Sequence, residues 1–185
     1  MKSLFITSIC ILFLSTATAQ FIKEQSLGVQ IGFGLSTPYN STTSVVDDGF
    51  FAQGELIMKV KNWLELRPYA GVILTNSDGL DLDDNPTDEK ATSKAFLMGG
   101  KLRLRAPIPY FAPYIEGGIG TSIGSFETVN RLGTIDKSGI IYHVPFSIGV
   151  ELGKKGKVDI RLSYFFQPSV EQYAGAAAIG VEFPL

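Results

Sequence analysis

Apolar residues recur at every second position in eight separate stretches of this 185-residue chain, and that period of two dictates strands rather than helices. The stretches are 27–35, 50–60, 64–74, 96–106, 111–123, 140–152, 158–166 and 174–185. In 64–74, for example, Leu64, Leu66, Pro68, Ala70, Val72 and Leu74 share one face, and Glu65, Arg67, Tyr69 and Gly71 share the other. Successive side chains of a strand point to opposite sides of the sheet, so each stretch has one greasy and one polar face. No charged residue falls on any of the greasy faces.

The connections alternate in length. Those at 61–63, 107–110 and 153–157 are tight, those at 36–49, 75–95 and 124–139 are long, and 167–173 is shorter again. Consecutive strands joined this way form an up-and-down meander with turns at one end and loops at the other. The expectation is an all-β, eight-stranded antiparallel barrel. Pro68, Pro113 and Pro145 interrupt the alternation and are expected at bulges or at the rim, because proline cannot donate to a ladder.

Alternation does not say which face is inside. A soluble barrel carrying an apolar ligand alternates too, with its greasy face inward, and that alternative stays open here. Three features favour the inverted, transmembrane arrangement. Gly is concentrated on the polar face, at Gly28, Gly32, Gly34, Gly71, Gly99, Gly118, Gly120, Gly124, Gly149 and Gly180. A solvated strand face disfavours Gly, whereas a crowded lumen has use for it. The stretches also reach the ~9–11 residues that a tilted strand needs to cross a bilayer. Aromatics mark the ends of the greasy faces, with Trp63, Phe111 and Phe183 toward the turns and Phe50, Phe96, Tyr142 and Phe166 toward the loops. Such girdles sit where lipid meets water.

The polar face supplies a charge test. Lys59, Arg67, Lys101, Arg103, Arg105 and Arg161 stand against Glu55, Glu65, Glu116, Glu151, Asp159 and Glu182, six against six. A sealed lumen needs that balance, because each uncompensated charge costs several kcal/mol. Folding the tight connections in half proposes partners: Lys59 opposite Glu65, Lys101 opposite Glu116, and Arg161 diagonal to Glu151, with Glu182 joining from the last strand. These twelve residues are the predicted lumen charge network. The charges lie toward the turns, while Gly32, Gly34, Gly71, Gly99, Gly120, Ser122, Ala174 and Ala176 lie toward the loops. That gradient predicts a closed plug at the turn end and a shallow vestibule opening at the loop end.

Residues 1–19 read as a secretory signal peptide. Lys2 gives the positive start, 4–14 is apolar, and Ala17-Thr18-Ala19 gives a small-residue cleavage site, leaving 20–185 as the barrel domain. Cys10 lies within the apolar run rather than after it, where a lipid-attachment cysteine would be. With 1 Cys in the whole chain, disulfide scaffolds and cysteine metal sites are excluded. The balance of 16 Lys+Arg against 18 Asp+Glu argues against a nucleic-acid partner.

Three stretches carry a family likeness: Leu64-Glu65-Leu66-Arg67-Pro68-Tyr69-Ala70-Gly71, Pro113-Tyr114-Ile115-Glu116-Gly117-Gly118-Ile119-Gly120, and Ile179-Gly180-Val181-Glu182-Phe183-Pro184-Leu185. In order and spacing the chain resembles the small eight-stranded outer-membrane β-barrels of diderm bacteria, the OmpA and OmpX types. The resemblance implies residence in the outer membrane, contact with its lipid and lipopolysaccharide, and passage through the outer-membrane assembly machinery. It implies a structural or surface-contact role through the extracellular loops, with no large pore and no cofactor.

Little else points to chemistry. His143 is the 1 His, and Ser147 lies four residues on along the same face, with Glu116 or Glu151 as an acid on paper. Some relatives of such barrels modify lipids, so a lipid-modifying enzyme is the alternative, but no nucleophile motif or lipid-facing nucleophile is present, and the expectation is no catalytic site. In the acidic loop 78–89, Asp81, Asp83 and Asn85 match the first ligands of a calcium loop, while Pro86 and Thr92 replace the Gly and Glu such a loop requires. No metal site is expected, with loose bridging of divalent ions to lipopolysaccharide as the sharper possibility.

Overall fold

The computed structural model describes residues 22–39, 41, 44–154 and 157–185, so the expected signal peptide at 1–19 lies outside the described residues. Eight strands run in chain order: β1 (Glu24–Pro38), β2 (Asp47–Lys61), β3 (Leu64–Asn76), β4 (Lys90–Arg105), β5 (Tyr110–Asn130), β6 (Gly133–Gly153), β7 (Val158–Gln167) and β8 (Gln172–Pro184). Each pairs antiparallel with the next, and β1 pairs with β8, for instance Val29 with Val181, which closes the sheet into a barrel. Closure leaves no sheet edge facing lipid within the closed part of the wall, which is the condition for a β-structure to cross a bilayer.

The period of two sorts the side chains as the alternation predicts. Leu27, Ile31, Leu66, Leu102, Ile115, Ile148, Leu162 and Ile179 are exposed on the outer wall. The aromatics of both girdles, Trp63, Phe111 and Phe183 at the turn end and Phe50, Phe96, Tyr142 and Phe166 at the loop end, are exposed too. Arg67, Lys101, Arg103, Glu116 and Arg161 are buried in the interior. This is the inverse of a water-soluble protein.

The strands outrun the sequence expectation at the loop end. The stretch 124–139 is not a loop. It continues β5 and β6 as a paired ribbon, Gly124 opposite Gly139 through Asn130 opposite Gly133, and β4 starts at Lys90. Beyond the apolar belt the outward positions turn polar (Ser125, Glu127, Asp136, Ser138), so hydrophobic alternation stops marking strands that hydrogen bonding still holds.

The prolines also differ from expectation. Pro68 and Pro145 lie within strands and cause neither a bulge nor a change of register. The β2–β3 ladder passes from Glu55↔Tyr69 to Met58↔Leu66 around Pro68, and the β5–β6 ladder from Gly117↔Phe146 to Gly120↔His143 around Pro145. One missing donor interrupts a ladder locally and leaves its neighbours in step. Pro113 sits near the turn rim, paired with Val150. The irregularity between β2 and β3 falls instead between Lys59 and Lys61, beside the turn.

Candidate functional site in the barrel lumen

All twelve predicted charges lie on the inner wall, carried by β2 (Glu55, Lys59), β3 (Glu65, Arg67), β4 (Lys101, Arg103, Arg105), β5 (Glu116), β6 (Glu151), β7 (Asp159, Arg161) and β8 (Glu182). Residues two apart on one strand face the same side, and ten of these side chains converge on a single cage in the turn half. Glu55 is its hub: it meets Arg67 Nη1 at 3.0 Å, Lys101 Nζ at 2.5 Å and Arg161 Nη1 at 2.5 Å. Glu116 accepts from Arg103 Nε at 2.6 Å and lies 3.2 Å from Lys101 and 3.3 Å from Arg161. Glu151 contacts Arg103 at 2.5 Å, Arg67 at 3.1 Å and Arg105 at 3.2 Å. Glu65 holds Arg67 at 2.6 Å, and Asp159 holds Arg103 at 2.9 Å.

Two tyrosines that the charge pattern did not single out complete the cage. The Tyr114 ring lies under the Arg103 guanidinium, 3.4 Å from its carbon to the ring centroid, and its hydroxyl donates to Asp159 at 2.7 Å. The Tyr69 ring lies 4.9 Å from Lys101 Nζ. Such cation–ring contacts strengthen when desolvated. Glycine makes room for both rings: a Cβ at Gly120 would strike the Tyr69 hydroxyl, and one at Gly149 would strike Tyr114. The signal for these contacts is in the sequence as large polar aromatics and glycines on one face, but their partners come from neighbouring strands.

Register corrects one pairing. Glu116 lies opposite Arg103, and Lys101 lies opposite Gly118. Pro107 and Pro109 cannot donate, and Tyr110 adopts a left-handed conformation with φ 68°, so the β4–β5 crossover sits one position further along than folding at 108–109 assumes. Lys101 nevertheless reaches Glu116 diagonally. Lys59 does lie opposite Glu65, but its ammonium pairs with Glu24 at 3.2 Å and Glu182 at 3.4 Å near the rim. Arg161 is diagonal to Glu151 across the β6–β7 ladder, yet its guanidinium turns to Glu55, Glu116 and Asp159.

The loop half of the lumen is built differently, and it overturns the expected vestibule there. Phe51, Ile73, Leu97, Phe126, Ile141, Phe165 and Val170 fill it and pack as one buried cluster. Val170 comes from a single 3-10 turn at Pro168–Val170 that folds inward between β7 and β8. A neutral hydrogen-bonded chain threads this packing: Tyr69 to His143, His143 Nδ1 to Ser122 at 2.7 Å, Gln167 to Ser122 at 3.3 Å, and Gln172 to Gln167 at 2.8 Å. Thr128 donates to the Val170 carbonyl at 2.7 Å, and Ser36 bonds Thr75 at 2.6 Å. A cup of about 950 Å³ opens at the turn end. The gradient of small residues misled because inward Phe51, Ile73, Leu97, Ile141 and Phe165 sit at the same level as the glycines and consume their space.

The Ser–His pairing considered from sequence does not assemble from the expected serine. Ser147 bonds Ser163 at 3.1 Å, while His143 lies between Tyr69 and Ser122, fully inside the barrel. In the acidic loop, Asp81 serves its own turn: its Oδ1 accepts from the backbone N–H groups of Asp83 and Asn85, both at 2.9 Å. Those N–H groups, Asn85's first, hold its carboxyl below the usual aspartate range.

Neither a family model nor a curated protein matches the chain by sequence. Solved structures match by shape. Neisserial surface protein A superposes with a TM-score of 0.56 at 13% identity, over 88% of this chain and 100% of that one. The attachment invasion locus protein Ail of Yersinia pestis, solved with the heparin analogue sucrose octasulfate, gives 0.49 at 14% identity over 88% and 99% of the two chains. The N-terminal β-barrel domain of Pseudomonas aeruginosa OprF gives 0.49 at 10% over 85% and 97%. At such identities the likeness to Neisserial surface protein A concerns the fold. That fold is the closed eight-stranded barrel of outer-membrane proteins.

Proposed function

We propose that this chain is an integral outer-membrane barrel without enzymatic activity and without a conducting pore, which presents its loop end as a contact surface outside the cell. The observation that carries this reading is the inversion of the molecule. Its outer wall is a belt of exposed Leu, Ile, Val and Phe, and its inner wall holds balanced, mutually neutralising ions. Only lipid makes a stable solvent for such a belt. The absence of a pore is supported by the sealing of the cage, where Arg67, Arg103, Glu116 and Arg161 are each no more than 2% exposed. Eight strands enclose little more than the volume of their own side chains. The signal-peptide pattern at 1–19 and lipopolysaccharide as the surrounding lipid belong to the same reading.

Membrane fractionation followed by gel mobility with and without boiling tests it. The protein should stay with the outer-membrane fraction until detergent is added, and the unboiled form should migrate apart from the boiled one. Release into buffer without detergent would overturn the reading. Planar-bilayer recording of the purified protein should show no regular conductance steps. His143→Ala should leave the phospholipid and lipid A composition of expressing cells unchanged.

A further inference from the structure

The cup at the turn end is lined by Lys23, Lys59, Lys61, Arg105, Lys154 and Lys157. Three carboxylates share the lining, and all are already engaged: Glu24 and Glu182 hold Lys59, and Glu151 holds Arg67, Arg103 and Arg105. Lys23, Lys61, Lys154 and Lys157 therefore face the cup with no carboxylate partner among the described residues. Arg105 joins the cup to the cage beneath it, and its Nε is sealed from solvent with no acceptor among the described residues. The opposite end of the barrel carries the acidic loop with Asp78, Asp81, Asp83, Asp84 and Asp88. The molecule is thus polarised along its axis, positive at the turns and negative at the loops.

From this geometry we infer that the turn-end cup is a binding site for an oligoanion, a flexible polar chain bearing several carboxylate or phosphate groups. Size fits: about 950 Å³ is the volume of a site for a small molecule or a chain end, well above one phosphate. Lys23, Lys61, Lys154 and Lys157 stand exposed around the turn-end rim, beyond the apolar belt, so the ligand arrives from the aqueous side rather than from the surrounding bilayer. Lysine ammonium groups on flexible stems act as point charges and accept either kind of oxyanion. The cage below supplies a closed, neutral floor, and the axial polarity draws anions to this end. Under the outer-membrane reading this end faces the periplasm, but the binding itself does not depend on that placement.

The chain has 1 Trp, Trp63, on the β2–β3 turn; it stands outside the cup, but Lys61 of the lining lies with its Nζ 5.3 Å from the Trp63 ring, so the ring reports on the cup through Lys61. The whole protein in zwitterionic detergent is titrated with inorganic tripolyphosphate and, separately, with a hexamer of glutamate, reading Trp63 emission and heat by calorimetry. Saturable binding is expected at low ionic strength, fading as salt shortens the screening length to roughly 3 Å near 1 M. The tighter probe identifies the anion chemistry. Replacing three lysines together (Lys23→Gln, Lys154→Gln, Lys157→Gln) should weaken binding by about tenfold or more. Asp81→Asn with Asp84→Asn at the far end should leave it unchanged. The boiled-against-unboiled mobility shift checks folding, and Lys61→Gln serves if the triple variant lacks it. A linear, unsaturable response, or equal affinity in the lysine variant, would overturn the inference.

Discussion

The two halves of the lumen solve the same problem with opposite chemistry. Each must fill a narrow tube that cannot be left empty. The turn half fills it with ions: five buried carboxylates, Glu55, Glu65, Glu116, Glu151 and Asp159, each touch at least two cationic side chains. The loop half fills it with Phe51, Leu97, Phe126 and Phe165 and pairs its polar groups mainly through Ser, Thr, Gln and His side chains, with the buried Asp47 accepting from the Ala91 N–H at its rim. Tyr69 joins the two, with its ring on Lys101 and its hydroxyl on His143. The comparison shows that a barrel with an apolar exterior does not require a polar interior throughout. It requires that whatever is enclosed be closely packed and internally paired.

The halves should break differently. The largest effect is expected in the ion cage. Glu55→Gln leaves Arg67, Lys101 and Arg161 sharing too little negative charge, and should cost about 4 kcal/mol. Urea unfolding in detergent micelles, followed through Trp63, measures the loss. A cost below about 1 kcal/mol would mean that water compensates the cage and that it is not sealed.

Next comes the apolar half. Leu97→Ala removes a fully buried side chain and should cost about 3 kcal/mol through lost packing and a residual cavity. The same unfolding assay should find this cost insensitive to salt. At the junction, Gly120→Ala places a methyl against the Tyr69 hydroxyl and His143 Nε2, with an expected cost of about 2 kcal/mol. Adding Tyr69→Phe removes the nearest of three colliding groups, leaving His143 Nε2 and the Met98 carbonyl, so the double variant should be more stable than the sum of the single ones. Strict additivity would show that the collision is relieved elsewhere.

The smallest effect is expected outside both halves. Lys90 and Glu127 form an ion pair at 2.7 Å on the protruding β4–β5 wall, with about a third of each side chain exposed. Lys90→Ala should change stability by less than about 0.5 kcal/mol, and less still at high salt. The contrast with Glu55→Gln sets an exposed single pair against a buried carboxylate that serves three cations, so burial and the number of partners act in the same direction.

Some of this was legible along the chain and some was not. Twelve charges at inward parity, balanced six against six, pointed to an internal network, but parity gives only the wall a residue stands on. Which carboxylate meets which cation depends on register, and at the β4–β5 turn the left-handed Tyr110 moved Glu116 opposite Arg103. Glu55 reaches Arg161 across the lumen, a contact no hairpin arithmetic contains. The apolar filling left a faint trace as doubled apolar positions: Phe50-Phe51, Ile73-Leu74, Phe96-Leu97, Ile140-Ile141 and Phe165-Phe166 each put one residue on the outer wall and the other in the lumen. Read singly, each looks like a lapse in the alternation.

The sequence by itself determined the strand count within the apolar belt, which residues of a strand share a face and the separation of charge from grease. These follow from the two-residue repeat of a strand and the cost of burying an unpaired ion, and both are local rules. Only the tertiary structure decided the contents of each level of the lumen, the ribbon that β5 and β6 raise beyond the belt, and the cup at the turn end. Those depend on how eight walls share one narrow volume, and the volume left over is a property of all the side chains at that level together.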